Sequence, residues 1–471
     1  MPPRFQPITP ASLDRLRAIV GAAQVFVDLE TLKRHGADET EDLQFMPQAV
    51  VAPRAAREIS AILRLANENH FCITTRGGGT GLSGAALPVY GGLVIAMRRF
   101  NEILDLDARN LFMVVEPGVT TQCLQEAAAA QGLFYPPDPA SRGTCFIGGN
   151  VAMNSGGPRA VKYGVTKDFV YGLEVVFPNG DIVTTGGKLL KNVSGYNLTQ
   201  LLVGSEGTLG VITKITLKLI PAAQFRRTLL AAFRDEAAAA TAVTQIFHAR
   251  ITPSACEFME RAAARAVEEH LGKTFPNRDA AAQLLIEVDG NFEAALDADI
   301  AAICEICEKL GAYDIVLAEN RQQQDELWSY RRAVGVAVKS ISTYKEEDTV
   351  VPRAELPRLV RGVREIVTRY GLTAICYGHA GDGNLHVNIL KNDMPAYRWE
   401  TELPKAIREI FECTVALGGT ISGEHGIGYS QKEYLPIACS PAELAAMRAL
   451  KQALDPNGIL NPGKIFMDAT P

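Results

Sequence analysis

What this sequence has little of narrows it before anything present is read. No stretch approaches the ~18 uninterrupted apolar residues of a membrane-spanning helix, and the opening Met1-Pro2-Pro3-Arg4-Phe5 carries no apolar export segment. Both readings predict a cytoplasmic protein, peripheral at the inner membrane only through a partner. Neither charge sign dominates: 47 basic and 53 acidic residues leave a formal charge of -6, which supplies no field favouring nucleic acid. Any anion must therefore be attracted locally. Nine cysteines scattered over 471 residues do not resemble the dense disulfide framework of small secreted domains, and their spacing contains no iron-sulfur ligand run. The Cys304-x-x-Cys307 pair sits in an alanine-rich helical stretch and reads as helix packing. Histidine is scarcer still, seven in all, so two that converge carry weight. Tandem repeats and low-complexity tails are absent.

The length is sufficient for two or three domains, since single cores rarely grow beyond about 250–300 residues. Residues 12 to 40 read as helical. In 56–69, Ile59, Ile62, Leu63, Leu65 and Ala66 have the spacing of one buried helical face, and Cys72–Thr75 follows as a short strand. From 93 to 219, strands alternate with glycine-rich loops. Leu173–Phe177 and Asp181–Thr184, joined by Pro178-Asn179-Gly180, read as a hairpin, because Asn-Gly supplies the backbone angles of a tight turn. Pro221 marks a boundary. Beyond it, strands at 255–259, 284–288, 314–317 and 374–379 alternate with helices at 236–248, 292–310, 354–369 and 401–417, an order that fits a mixed sheet with helices on one face. The expected division is a helical extension over 1–46, a cofactor domain over 47–221, a substrate domain over 222–418 and a closing segment over 419–471.

Three glycine clusters stand out: Arg76-Gly77-Gly78-Gly79-Thr80-Gly81-Leu82-Ser83-Gly84, Ile147 to Gly157, and Gly204-Ser205-Glu206-Gly207-Thr208-Leu209-Gly210. Ordered glycines cost more backbone entropy than other residues, and what they supply in return is N–H groups able to approach an anion closely. The first cluster fits neither the Walker A nor the Rossmann spacing. Three such loops within ~130 residues point to backbone packed around one elongated object.

Together with Pro136-Pro137-Asp138-Pro139 and Tyr163-Gly164, these loops resemble the FAD-binding domain of the vanillyl-alcohol oxidase type. Tyr377-Gly378-His379-Ala380-Gly381-Asp382-Gly383-Asn384-Leu385-His386 resembles the carboxyl domain of FAD-linked oxidases, a group that includes glycolate oxidase flavoprotein subunits, D-lactate dehydrogenases and D-2-hydroxyglutarate dehydrogenases. The resemblance implies an α+β chain: a bipartite PCMH-type FAD-binding domain, a ferredoxin-like substrate (cap) domain, and a C-terminal segment returning to the flavin site. It implies that FAD is lined by Arg76, Gly77, Gly78, Gly79, Thr80, Gly81, Leu82, Pro137, Asp138, Thr144, Gly148, Gly149, Asn150, Asn154, Gly156, Gly157, Glu206, Gly207, Gly210, Val211, Ile212 and Asn461. Neither Arg76–Gly84 nor Ser141–Gly149 contains the histidine that tethers flavin in many relatives, so the FAD is expected to be noncovalent.

Oxidation of a 2-hydroxy acid needs a group to hold the carboxylate, a group to take the hydroxyl proton and an acceptor for the hydride, the last supplied by flavin. The resemblance places the carboxylate-holding arginine at Arg331, after Trp328, with a second cation at Lys345. An Asp382-Gly383 hairpin turn predicts that His379 pairs with His386 and Tyr377 with Asn388, all projecting onto one face. His379 and His386, completed by Glu424, form an N/N/O set for a divalent metal, zinc first, with manganese and iron also compatible. His425 is the expected proton acceptor, and Asn388 joins the catalytic set. The expected activity is dehydrogenation of D-lactate or glycolate, with electrons passing to a quinone, an electron-transfer flavoprotein or an iron-sulfur subunit within a homodimer or hetero-oligomer. The alternatives are a D-2-hydroxyglutarate dehydrogenase, a flavin oxidase reducing oxygen directly, and a noncatalytic flavin electron-transfer subunit.

Overall fold

The computed structural model describes residues 4–41 and 43–467; the opening Met1-Pro2-Pro3 and the last four residues of the closing segment lie outside the described residues. The chain forms two compact, discontinuous units. One joins Met1–Ser155, Val165–Ala222 and Glu424–Pro471; the other joins Gly156–Gly164 and Ala223–Gly423.

In the first unit, a four-stranded sheet runs in the order Val25–Phe26, Ala49–Val51, Leu93–Ala96, Ile73–Arg76, with the last three strands mutually parallel. The apolar runs Ala49-Val50-Val51 and Leu93-Val94-Ile95-Ala96 suit strands covered on both faces. The helix Ala56–Asn69 turns Ile59, Ile62, Leu63, Leu65 and Ala66 into the core, as their spacing predicts. The expected N-terminal extension shares that core: Leu16 and Val20 of the helix Pro10–Val20 pack with Ile59, Leu63, Ile73 and Leu93. A second, antiparallel sheet has the order Ile103–Asp107, Phe112–Val115, Val211–Lys218, Val170–Val176, Ile182–Gly186. Its last two strands are the predicted hairpin, with Gly180 at φ +87° in the turn. The C-terminal segment returns to the first sheet, where the Asn461 N–H donates to the Ile73 carbonyl at 2.7 Å and the Ile73 N–H to that of Ile459 at 2.8 Å.

The second unit is built on a seven-stranded sheet in the order Ala312–Leu317, Phe225–Phe233, Ala282–Gly290, Ala255–Glu260, Thr373–Gly378, Asn384–Leu390, Tyr344–Val350. Two expectations are corrected here. The sheet is antiparallel throughout rather than mixed, and helices cover both faces rather than one. On one side, Ala263 and Val267 of Arg261–Leu271 and Leu327, Trp328 and Val334 of Arg321–Lys339 pack on Leu230, Leu285, Met259 and Ile375. On the other, Arg364 of Leu356–Arg369 pairs with Glu260, whose side chain alternates to the opposite face from Met259. The strands Phe225–Phe233 and Tyr344–Val350 were hidden by polar runs, Arg226-Arg227-Thr228 and Lys345-Glu346-Glu347-Asp348. Glu346, Glu347 and Asp348 are nonetheless all buried, and that burial is the first sign of a site.

Candidate active site

In the first unit, the strand Ile73–Arg76 delivers the chain into the first glycine loop. A β-carbon on Gly78 would lie 2.5 Å from the Thr144 carbonyl oxygen and one on Gly148 2.4 Å from Pro117 Cβ, so only glycine lets these segments lie this close. At Gly81 and Gly149, by contrast, nothing lies within 4 Å of where a side chain would project. Bare backbone facing open space, on two loops in contact, fits an anionic cofactor. Asn461 closes the cradle, donating to the carbonyls of Ala85 at 2.9 Å and Glu206 at 2.8 Å.

Other expected flavin residues have side chains committed to the fold. Arg76 donates to the Ala37 carbonyl at 2.6 Å, Asp138 takes Arg142 at 3.2 Å, Asn150 donates to Thr121 Oγ1 at 2.5 Å, and Asn154 accepts from the Lys167 N–H at 2.9 Å. Gln125 donates to the Pro137 carbonyl at 2.9 Å. A β-carbon on Gly210 would meet Val175 at 2.4 Å, and Val211 and Ile212 pair with Val176 and Val175 in the sheet. Thr80 and Leu82 are half-buried in the first loop. Gly156 and Gly157 belong to the second unit.

Glu206 has φ +53° and Gly207 φ +67°. The Glu206 carboxylate accepts the N–H groups of Ile427 at 2.8 Å and Gly428 at 2.7 Å. Burial pushes its pKa up to about 7, against the opposing pull of those two N–H groups. In the same unit, His425 Nε2 lies 3.9 Å from Glu424 Oε1.

The second unit places its charges on the sheet face covered by Arg321–Lys339. Glu257, fully buried in Ala255–Glu260, takes Arg331 Nη2 at 2.7 Å and His379 Nδ1 at 2.8 Å. Burial is the largest single influence on this carboxyl and pushes it up, but the charges of His379 and Arg331 outweigh it and hold it below the usual range. The His379 and His386 rings stand perpendicular, 87° apart, with centroids at 5.2 Å. His386 Nδ1 lies 3.5 Å from Asp348, which also takes Asn384 Nδ2 at 2.7 Å and Ser422 Oγ at 3.0 Å. Arg331 lies over the Tyr377 ring at 5.2 Å, and the Tyr377 hydroxyl donates to Glu346, the partner of Lys339 at 3.2 Å.

The histidines meet by a different route from the one expected. His386 pairs with Tyr377 rather than His379, and Asn388 with Ile375 rather than Tyr377, because the chain turns through the 3-10 segment Ala380–Asp382 and not a two-residue hairpin turn. Gly383, at φ +76°, is required there, since a β-carbon would sit 2.0 Å from the Val351 carbonyl. A slip of two residues preserves the facing side chains, so Tyr377, His386 and Asn388 still share a face, and His379 reaches His386 from the turn. Lys345 does not join them. It stands opposite Ile389, one residue out of phase with the Glu346–Asn388 pair, and so projects to the other face of the sheet.

Glu257, Glu346 and Asp348 were missed. The available signal was a lone acid in the apolar run Ala255-Cys256-Glu257-Phe258-Met259. The residues fit a divalent cation: a histidine whose Nδ1 is held by a carboxylate presents Nε2 outward, the arrangement that orients metal-bound imidazoles, and a second imidazole lies beside it. Glu424 belongs to the first unit; within the second, the Gly423 N–H donates to the Asp348 carbonyl at 3.1 Å. The Cys304–Cys307 pair shows no such convergence. Burial raises both thiols, Cys307 to about 12, away from thiolate chemistry.

A two-part cradle of glycine loops closed by the C-terminal segment, with a separate antiparallel unit carrying buried arginine and histidine, defines the flavin-dependent oxidoreductase class. The chain belongs to the FAD-linked oxidases: the family signature described as "FAD linked oxidases, C-terminal domain" matches residues 222–465, and that described as "FAD binding domain" matches 47–186. It is 44% identical over 430 residues to glycolate oxidase subunit GlcD of Bacillus subtilis, covering 91% of each chain. It is 35% identical over 469 residues to D-lactate dehydrogenase of Anaerostipes hadrus, covering 98% of each. Among solved structures, p-cresol methylhydroxylase with substrate bound superposes with a TM-score of 0.81 at 18% identity, over 98% of this chain and 99% of the other, and shares the fold. FAD is therefore the cofactor of this chain, and no helix among the described residues is long and apolar enough to cross a membrane.

Proposed function

We propose that this protein is an FAD-dependent dehydrogenase that oxidises a small 2-hydroxy acid to the 2-oxo acid, with D-lactate and glycolate as the foremost substrates. The observation that carries the reading is Glu257, one buried carboxylate holding both an arginine and a histidine. That geometry suits a site that fixes an anion and a cation together. The relatives named for glycolate and D-lactate support the substrate class. We assign the flavin to the first unit and substrate recognition to the second.

Arg331 holds the substrate carboxylate, since a planar guanidinium can meet both oxygens at once. Its Glu257 and Tyr377 contacts fix its orientation in advance. His379 and His386, with Glu424 as third ligand, hold a divalent cation, zinc by ligand type, whose chemistry is to polarise the substrate hydroxyl. His425 takes the hydroxyl proton, a task suited to imidazole near neutral pH. Asn388 presents its carboxamide on the same face, beside the Tyr377 hydroxyl. Lys345 is left out because its strand position turns it away. FAD, when bound, supplies the hydride acceptor. Electrons then leave to a quinone, an electron-transfer flavoprotein or an iron-sulfur subunit, consistent with a relative named as a subunit.

The test is anaerobic mixing of the flavinated protein with D-lactate, glycolate and D-2-hydroxyglutarate, with metal per flavin measured in wild type and His386→Ala. Bleaching by one of the first two acids and loss of metal in the variant are expected. Full bleaching with near-zero metal in both proteins would remove the metal from the reading. No bleaching by any 2-hydroxy acid would overturn the activity.

A further inference from the structure

The Glu206 carboxylate and Ser83 grip the same short loop from two sides. Glu206 belongs to the third glycine loop, yet its carboxylate takes the N–H groups of Ile427 and Gly428. Ser83 belongs to the first glycine loop. Its Oγ donates to the His425 carbonyl at 3.0 Å, and its own carbonyl accepts the N–H groups of Tyr429 at 2.7 Å and Ser430 at 3.1 Å. The grip leaves no room for side chains: a β-carbon on Gly428 would lie 2.1 Å from the Ser83 carbonyl, and one on Gly426 2.3 Å from Met153 and 2.9 Å from Glu206. Gly426 and Gly428 both take positive φ, +83° and +51°, so the backbone on the C-terminal side of His425 has one path. These five hydrogen bonds from Glu206 and Ser83 thus converge on the six consecutive residues 425–430, while the loop's acid and imidazole at Glu424 and His425 remain partly exposed.

We propose that Glu206 and Ser83 are positioning residues that act through His425, so that the loops assigned to the cofactor also set the imidazole in place for its proton transfer. Glu206 is thereby a clamp on the 425–430 loop rather than a flavin ligand. The inference rests on the reading of His425 as the proton acceptor. A displacement of about 1 Å in a reacting group can cost about 100-fold in rate, and a carboxylate accepting two backbone N–H groups cannot be replaced by a carboxamide, which offers one acceptor oxygen and turns an N–H2 toward the other donor.

The experiment is a double-mutant cycle on the flavinated holoenzyme. Anaerobic flavin reduction by D-lactate is measured in wild type, Glu206→Gln, His425→Asn and the double variant, with FAD affinity measured alongside. Glu206→Gln should slow reduction about 10- to 100-fold in wild type but less than about twofold when His425 is already replaced. FAD affinity should change less than about threefold, a result that a cofactor ligand would not give. Ser83→Ala, which attacks the same loop from its other side, should reproduce the pattern and keeps the test decisive where Glu206→Gln fails to fold. Equal slowing in both backgrounds, or a loss confined to FAD affinity, would overturn the inference alone. Unchanged reduction in His425→Asn would overturn the proton-acceptor reading and the inference with it.

Discussion

Replacing Glu257 by Gln keeps the side chain's volume but removes the charge that Arg331 and His379 share. The expected outcome is a fall in kcat of about 10- to 100-fold, the range for outer partners of metal-bound imidazoles. KM should rise, because Arg331 loses the contact that aims it, and FAD content should stay near one per chain; steady-state kinetics and flavin absorbance check all three. Breaking a buried ion pair from one side typically costs about 3–5 kcal/mol, so the Tm should drop as well. At this scale, the candidate site was half legible. Arg331, His379 and His386 were marked by their motifs, but Glu257 was not, because an acid's partners lie far along the chain: 74 residues separate it from Arg331 and 122 from His379.

The third glycine loop carries a pH dependence of its own. Glu206 titrates at about 7 in the folded protein, against an ordinary value of 4.5, so the folded state keeps a proton that the unfolded chain releases. Its contribution to stability is complete below about 4.5 and is lost as pH rises through about 7, at a slope of up to ~1.4 kcal/mol per pH unit. Lys464, which burial holds down to about 7 although Asp38 and Glu206 pull it up, acts only above that range. Urea unfolding of wild type and Glu206→Gln at pH 5 and pH 7 should show the wild type losing stability relative to the variant across the interval. A constant difference between the two proteins would show that Glu206 is ionised throughout. Elements with strong local periodicity were legible, among them the helices at 56–69 and 236–248 and the Asn179-Gly180 hairpin. The strand Tyr344–Val350 was not, since its buried acids are tolerable only beside His386, Tyr377 and Lys339, which other elements supply.

For the molecule as a whole, the expected mode of cofactor retention is tight but noncovalent. No histidine lies in Arg76–Gly84 or Ser141–Gly149. Acid precipitation of the purified protein should therefore leave the yellow flavin in the supernatant and a colourless pellet, and flavin retained in washed, denatured protein would reject this.

The sequence by itself determined the class: glycine loops too costly to order without a ligand, apolar periodicities that specify individual helices and strands, and rare histidines flanking a turn. These are properties of short segments, read within a dozen residues. Only the tertiary structure decided which charges neutralise one another. It set the 3-10 turn that shifts His386 onto Tyr377, turned Lys345 to the opposite face, covered both sides of the sheet with helices and joined Glu206 to the His425 loop. The reason is physical: strand register and buried ion pairs depend on groups that other elements supply, 74 residues along the chain for Glu257 and Arg331 and 221 for Glu206 and Ile427, and their energies exist only once water has been excluded from between them.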